Sequence, residues 1–347
     1  MEMKKLMSSV SQWLNRGDDV VLAAIVASSG SAPRGAGARM AIIKDGSFAG
    51  TIGGGALEYK VQQMALDALK NKKSLIKSFA LSSGDKEDLG MVCGGDVTVH
   101  IQFISSNNEQ AVSLFKYGAA LFSQNTNSWL VTCISEEAEW QMGICAQDSK
   151  ESTEGNLPAE IFYYKQLFTN SAVQHEVSGK KYYSEPLTRA GKVYVFGGGH
   201  ISQELVPLLS HLGFRCVLID DLPKFACKEL FPDAESVITG NFDDISSYAA
   251  ITEKDYAVIM TRGHASDLAV QAQVLRLRPL YIGVIGSRKK IAHVTNKLLE
   301  QGFSQKEIDR VHTPIGLAIK ADTPAEIAVS IAAELIMVRA ESAGESI

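Results

Sequence analysis

Four glycine-rich stretches hold most of the residues able to do chemistry in this chain. The most regular follows a short apolar run, Val193–Phe196, and reads Gly197-Gly198-Gly199-His200-Ile201-Ser202. It matches G-x-G-x-x-G/A with Ser202 in the last place. In that pattern the first glycine permits a tight turn and the middle one lets a pyrophosphate approach the backbone. The third position needs only a small residue, so that the helix can pack on the strand. A helix beginning near His200 offers free N–H groups and its positive dipole end to a phosphate. Roughly twenty residues on, closing the next apolar run, stands Asp220, followed by Asp221; a carboxylate there hydrogen-bonds a ribose diol and disfavours a 2′-phosphate. Gly197, Gly199, His200 and Asp220 are therefore candidate contacts to a nucleotide. The same pattern also serves folds that hold another nucleotide-like molecule, or none.

Two further loops fall after strand-like runs of this half. Thr261-Arg262-Gly263-His264-Ala265-Ser266-Asp267 contains His264, which is either a general acid or base or an ordinary hydrogen-bonding residue. Gly286-Ser287-Arg288-Lys289-Lys290 opens a helix with three consecutive cations, against the helix dipole. An anion held at Ser287 and Arg288 would account for that cost; a solvated surface cluster is the alternative.

The first half has glycine clusters of another kind. Gly30-Ser31-Ala32-Pro33-Arg34-Gly35-Ala36-Gly37 places Arg34 in a flexible loop, with Ala32 held extended by Pro33. Gly50-Thr51-Ile52-Gly53-Gly54-Gly55 leads into a helix carrying Glu58, so that Gly53, Gly54 and Gly55 form a possible phosphate cradle. Gly90-Met91-Val92-Cys93-Gly94-Gly95 sets a thiol in a tight turn where a ligand could approach the sulfur. Reactivity there would require a lowered thiol pKa; the other reading is a packing residue.

These loops need elements to hold them. Residues 193–196, 216–219, 236–239, 256–260 and 280–284 are apolar runs of strand length. Segments such as 201–212 and 266–277, between them, suit helices. Strands alternating with helices imply right-handed βαβ units and a parallel sheet covered on both faces. Thr323, Pro324 and Glu326 mark the start of a closing helix through a capping box and a first-turn proline. The expected fold is α/β: a C-terminal Rossmann-like doubly wound parallel sheet over 189–347, after an N-terminal α+β domain over 1–188. In the latter, strands are expected at 20–27 and 96–103, then a hairpin-rich extension over 105–188 with strand-like pieces at 129–134, 140–146 and 160–165. Residues 186–191 read as the linker.

Composition narrows the function classes. The 347 residues suit roughly two domains of about 150. A net charge of −5 argues against a dedicated nucleic-acid surface. The longest apolar run, 20–27, is too short to span a bilayer, and no apolar stretch follows Lys4 and Lys5 as in a signal peptide. A cytoplasmic protein without nucleic-acid or membrane partners is the expectation. Five cysteines with no C-x-x-C pair fit neither a disulfide framework nor a zinc site. Most should be core thiols, Cys216 above all.

Taken together, Ser31-Ala32-Pro33-Arg34, Gly50-Thr51-Ile52-Gly53-Gly54-Gly55 with Glu58, Cys93-Gly94-Gly95, Phe196-Gly197-Gly198-Gly199-His200 and Asp220-Asp221 resemble the XdhC/CoxI family, the xanthine dehydrogenase accessory proteins. Gly283-Val284-Ile285-Gly286-Ser287-Arg288, Pro314-Ile315-Gly316-Leu317 and Thr323-Pro324-Ala325-Glu326-Ile327 extend the likeness, which covers about 20–104 and 186–340. Gly198 stands where the family has alanine, a change that looks harmless. Leu222 stands where it often has arginine, and Thr261-Arg262-Gly263-His264 lacks the first histidine of its His-x-His. The resemblance implies an accessory role. Such a protein binds the molybdenum cofactor (molybdopterin, or its dinucleotide form) and protects it while a cysteine desulfurase installs the terminal sulfur. It then delivers the cofactor to a xanthine dehydrogenase-type molybdenum hydroxylase. Arg34, Gly53, Gly54, Gly55, Glu58, Cys93, Gly197, Gly199, His200, Asp220, His264, Ser287 and Arg288 are its expected cofactor-binding residues, with Cys93 at the metal. A homodimer is the expected assembly. The competing readings are an NAD(P)-dependent oxidoreductase using Asp220 and His264, and a nucleotide-binding regulatory protein.

Overall fold

The uninterrupted apolar run at 20–27 is explained by cover on both of its faces. In the computed structural model, which describes residues 2–30, 34–81, 95–135, 140–147 and 154–342, it lies within β1 (Val20–Gly30), after α1 (Glu2–Asn15). β2 (Arg39–Ile43), β3 (Phe48–Thr51), α2 (Gly55–Asn71), β4 (Leu75–Ala80) and β5 (Gly95–Ile104) follow. The five strands form an antiparallel sheet in the order β3-β2-β1-β5-β4. Val21, Ala23 and Ile25 point to one face, where α2 packs through Leu57, Val61 and Ala65. Val20 and Leu22 point to the other, against α1 and α3 (Glu109–Leu121). A strand covered on both sides loses its polar alternation.

The remainder of this unit is a second antiparallel sheet, built from β6 (Ser128–Cys133), β7 (Met142–Ala146), β8 (Glu154–Gly155), β9 (Val173–Val177) and β10 (Lys180–Thr188) in the order β8-β7-β6-β10-β9. The strand expected at 160–165 is instead a pair of 3₁₀ turns, Ala159–Tyr163 and Lys165–Leu167. Ile161, Tyr164 and Leu167 recur every third residue, the 3₁₀ period, and pack with Phe168 under Trp129. The expected linker is also shorter than read. β10 runs through Pro186 to Thr188, and its pairing with β6 shifts register between those two residues, the kind of irregularity that accommodates proline in a strand. Two compact units result, Glu2–Arg189 and Ala190–Ser342.

Between the two sheets of the first unit lies a polar layer. Arg39 of β2 is ion-paired with Glu185 of β10, both side chains almost fully buried. Tyr183 donates its hydroxyl to Glu185 Oε2 at 3.1 Å, and the guanidinium lies 5.7 Å from the Tyr183 ring centre. His100 of β5 is buried beside Arg39; desolvation, aided by that positive charge, pushes its pKa down to about 4. Desolvation outweighs the Arg39 charge at Glu185 and raises its carboxyl pKa.

The second unit is one parallel sheet. β11 (Val193–Phe196), α4 (His200–His211), β12 (Cys216–Asp220), β13 (Ser236–Thr239), β14 (Tyr256–Ile259), α5 (His264–Leu277), β15 (Tyr281–Val284), α6 (Arg288–Glu300), α7 (Gln305–Ile308), β16 (Val311–His312) and α8 (Pro324–Glu341) follow in chain order. The strand order is β13-β12-β11-β14-β15-β16, all neighbours parallel. Val193 and Val195 meet α4 and α8 on one face. Tyr194 and Phe196 meet α5 on the other. Thr323 and Glu326 cap α8 reciprocally, with Pro324 in its first turn. The fold is the expected α/β arrangement. β16, only two residues long, carries no apolar run by which it could have been read.

Candidate functional site

The strand order reverses at β11, with β12 and β13 to one side and β14 to β16 to the other. Open parallel sheets bind ligands at the carboxyl ends of the strands flanking such a point. Gly197, Gly199, His200 and Asp220 lie there, and the loops carrying His264 and Ser287 leave the same edge after β14 and β15.

The three glycines of the loop do different work. Gly197 has φ +109°, and a Cβ on it would overlap the Met260 carbonyl, so both turn and strand contact demand glycine. Gly198 is closely covered, since a Cβ there would overlap the Phe225 carbonyl oxygen. Alanine, expected to be interchangeable at this place, does not fit without movement of the backbone at Phe225. Gly199 is the open one: a Cβ would meet nothing within 4 Å. It precedes α4, whose N-terminus has no side-chain cap. Ser202 does more than stay small, because its hydroxyl donates to the Gly197 carbonyl and ties loop to helix.

Asp220 is 2 % exposed and already engaged. Its Oδ2 accepts the Gly198 N–H at 2.8 Å, and its Oδ1 accepts the Leu222 N–H at 2.9 Å and Arg262 Nη2 at 3.2 Å. Arg262 also pairs with Asp221, and its guanidinium lies 4.8 Å from the Phe225 ring centre. Sequence reasoning passed over Arg262 and Phe225 as ligand-site residues. The signals were the position of Arg262 in the loop after the fourth strand and its standing in place of the first histidine of the family's His-x-His.

The neighbouring loops are held from beneath. Thr261 donates its N–H to Asp267 Oδ1 at 3.0 Å, and the fully buried Asp267 is ion-paired with Lys290. One of the three cations at the start of α6 is thus turned inward to a carboxylate, which relieves part of its conflict with the dipole. Ser287 is the N-cap of that helix, accepting the Lys290 N–H. His264 and Arg288 begin α5 and α6; their side chains lie outside the described residues.

In the first unit, Gly53, Gly54 and Gly55 all have positive φ, and a Cβ on Gly54 or Gly55 would meet nothing within 4 Å. Glu58 folds back into this turn. Its Oε2 accepts the Ile52 N–H at 3.0 Å, the Gly54 N–H at 3.1 Å and the Thr51 hydroxyl at 2.5 Å. Burial alone would raise the Glu58 pKa; these donors, Thr51 foremost, outweigh it and lower it. A carboxylate of the chain itself thereby takes up donors that a phosphate could use. Pairing of Gly30 with Gly95 and of Arg39 with Thr51 brings the exposed Arg34 loop and this glycine turn to one end of the sheet. Cys93 and Ser31-Ala32-Pro33 lie outside the described residues. Of the other thiols, Cys133, Cys145 and Cys216 are buried, and desolvation raises those of Cys145 and Cys216 to about 12, which makes them inert.

Residues 193–335 match the XdhC Rossmann domain, and residues 13–80 match the XdhC and CoxI family. The chain belongs to the XdhC and CoxI family. Among its relatives is a probable xanthine dehydrogenase subunit of Bacillus subtilis (strain 168), 26% identical over 323 residues, which are 93% of this chain and 94% of that protein. The molybdenum cofactor insertion chaperone PaoD of Escherichia coli (strain K12) is 22% identical over 328 residues, 94% of this chain and 85% of that protein. The crystal structure of a xanthine dehydrogenase from Bacillus halodurans shares the fold: the TM-score is 0.81 at 23% identity, covering 100% of this chain and 98% of that one. Among the described residues of this family member, no helix is long and apolar enough to cross a membrane.

Proposed function

We propose that this protein is a cytoplasmic accessory protein that binds the molybdenum cofactor and shelters it while a cysteine desulfurase installs its terminal sulfur. It then hands the cofactor to a xanthine dehydrogenase-type molybdenum hydroxylase, working as a homodimer. The observation that carries the reading is likeness along nearly the whole chain to a protein named as a molybdenum cofactor insertion chaperone. The second unit offers a place for the cofactor's phosphate end: Gly199 has room in front of it, and the N-terminus of α4 is uncapped. Gly197 and Asp220 shape that loop, and His200, His264, Ser287 and Arg288 stand at or after the strand ends around it. In the first unit, Gly54 and Gly55 leave similar room, held by Glu58, with Arg34 at the same end of its sheet. Gly53 completes that turn. Cys93 contacts molybdenum or its sulfur, a soft partner for a soft centre. An NAD(P)-dependent oxidoreductase would need Asp220 free for a ribose, and its engagement with three donors weighs against that reading.

The deciding experiment adds molybdenum cofactor to the pure protein and follows the two on a sizing column. Stoichiometric co-elution supports the proposal. Elution of the cofactor apart from the protein sinks it.

A further inference from the structure

The acidic end of β12 and the loop after β14 belong to opposite sides of the strand-order reversal, yet they are joined. Arg262 leaves the end of β14, passes the end of β11 and reaches Asp220 and Asp221 at the end of β12. Phe225 completes the closure. Its carbonyl abuts Gly198, and its ring lies under the guanidinium. Where a dinucleotide places its adenosine ribose, this protein has a guanidinium stacked on an aromatic ring and paired with both acids. Asp220 has no oxygen left without a donor, and the Gly198 N–H is spent on it. What stays open is the place in front of Gly199, at the uncapped start of α4.

We propose that Arg262 is the specificity-determining residue of this crevice. By filling the ribose subsite it refuses dinucleotides and leaves room for a ligand that ends in a phosphomonoester. The inference rests on the reading that this crevice takes the phosphate end of the cofactor, and it names which form is taken. The chemistry is consistent: a diol needs a free carboxylate, whereas a terminal phosphate needs only helix N–H groups and backbone room.

The test compares NADH, a dinucleotide with an unmodified ribose diol, with the two forms of the pterin cofactor on the full-length protein. NADH binding is followed by its fluorescence in the parent, Arg262→Gln and Arg262→Ala. Both variants should bind NADH at least tenfold more tightly than the parent, and adding Asp220→Asn to Arg262→Gln should abolish the gain. Equal binding by parent and variants overturns the proposal. If a neutral variant fails to fold, Arg262→Lys is measured in its place. It keeps the charge but loses the planar fork and the stacking on Phe225, so a smaller gain over the parent is expected, and no gain overturns the proposal. In the second arm, the parent should retain the phosphomonoester form of the cofactor in preference to the dinucleotide, and Arg262→Gln should narrow that preference. Equal retention of both forms by the parent also overturns the proposal. Failure to retain either form counts against the accessory role, and the NADH comparison then decides the role of Arg262 by itself.

Discussion

Arg39 and Glu185 stand 146 positions apart in the chain and meet as a buried ion pair between the two antiparallel sheets of the first unit. Arg39 also sits opposite Thr51, the residue that leads into the Gly53 turn, so the pair ties the turn end of β2 to β10. Arg39 Nη2 finds no hydrogen-bond acceptor. The guanidinium thus depends on Glu185 for its compensation.

Removing one partner should accordingly cost far more than removing both. Glu185→Ala leaves an uncompensated buried cation, for which a loss of about 3–5 kcal/mol is expected. Arg39→Met combined with Glu185→Leu should recover most of it. Urea unfolding of the three variants against the parent checks this; a single variant as stable as the parent would show that the layer is solvated.

His100, in the same layer, gives the first unit a pH signature. Its folded pKa is depressed to about 4 from an ordinary 6.5. Between those values the unfolded chain takes up a proton that the folded chain refuses. The contribution is therefore fully present above pH 6.5 and is lost as pH falls towards 4, by about 2 kcal/mol at pH 5. Glu185, whose carboxyl pKa is raised, works in the opposite sense as pH falls towards 4.5, so the His100 part must be isolated. His100→Gln should flatten the decline between pH 7 and pH 5 in paired urea titrations. An unchanged slope would assign the decline to other groups.

Much of the second unit was legible because its strands are short apolar runs punctuated by helix signals. Val193–Phe196 and Ser236–Thr239 lie where their composition put them, and Thr323 and Glu326 cap as their spacing requires. The first unit was harder. Two-sided burial removes the alternation of β1, and Ile161, Tyr164 and Leu167 follow a period of three that a strand template absorbs. At the candidate site, glycines announce a turn but not what covers it. Nothing in Gly197-Gly198-Gly199 distinguishes a residue pressed on Phe225 from one facing open space. The Arg262 pairing is likewise a long-range contact, 42 positions from Asp220, with no local trace.

Cys93 carries the metal end of the proposed function. A thiol followed by two glycines is expected to have no packing duty that alanine cannot fill, so Cys93→Ala should keep the parent's melting temperature within about 2 °C, the shift that about 0.5–1 kcal/mol produces in a unit of this size. Its cofactor retention on the sizing column should fall at least tenfold. Retention equal to the parent's would reduce Cys93 to a structural residue.

Gly198 and Gly199 are adjacent, and their substitutions should separate folding from binding. Gly198→Ala forces a methyl group onto the Phe225 carbonyl, and because backbone yields poorly the expected cost is about 1–3 kcal/mol. At Gly199 an added Cβ meets no atom within 4 Å, and the backbone is ordinary extended at φ −72°, so Gly199→Val starts from open space. Its stability cost is that of a poor helix N-cap, no more than about 1 kcal/mol. The branched side chain instead stands where a phosphate would approach α4, so cofactor retention should drop at least tenfold while the melting curve scarcely moves. Thermal melts and the sizing-column assay on the two variants decide the matter. If Gly199→Val binds as the parent does, the phosphate does not lie at the start of α4, whatever Gly198→Ala does to the fold.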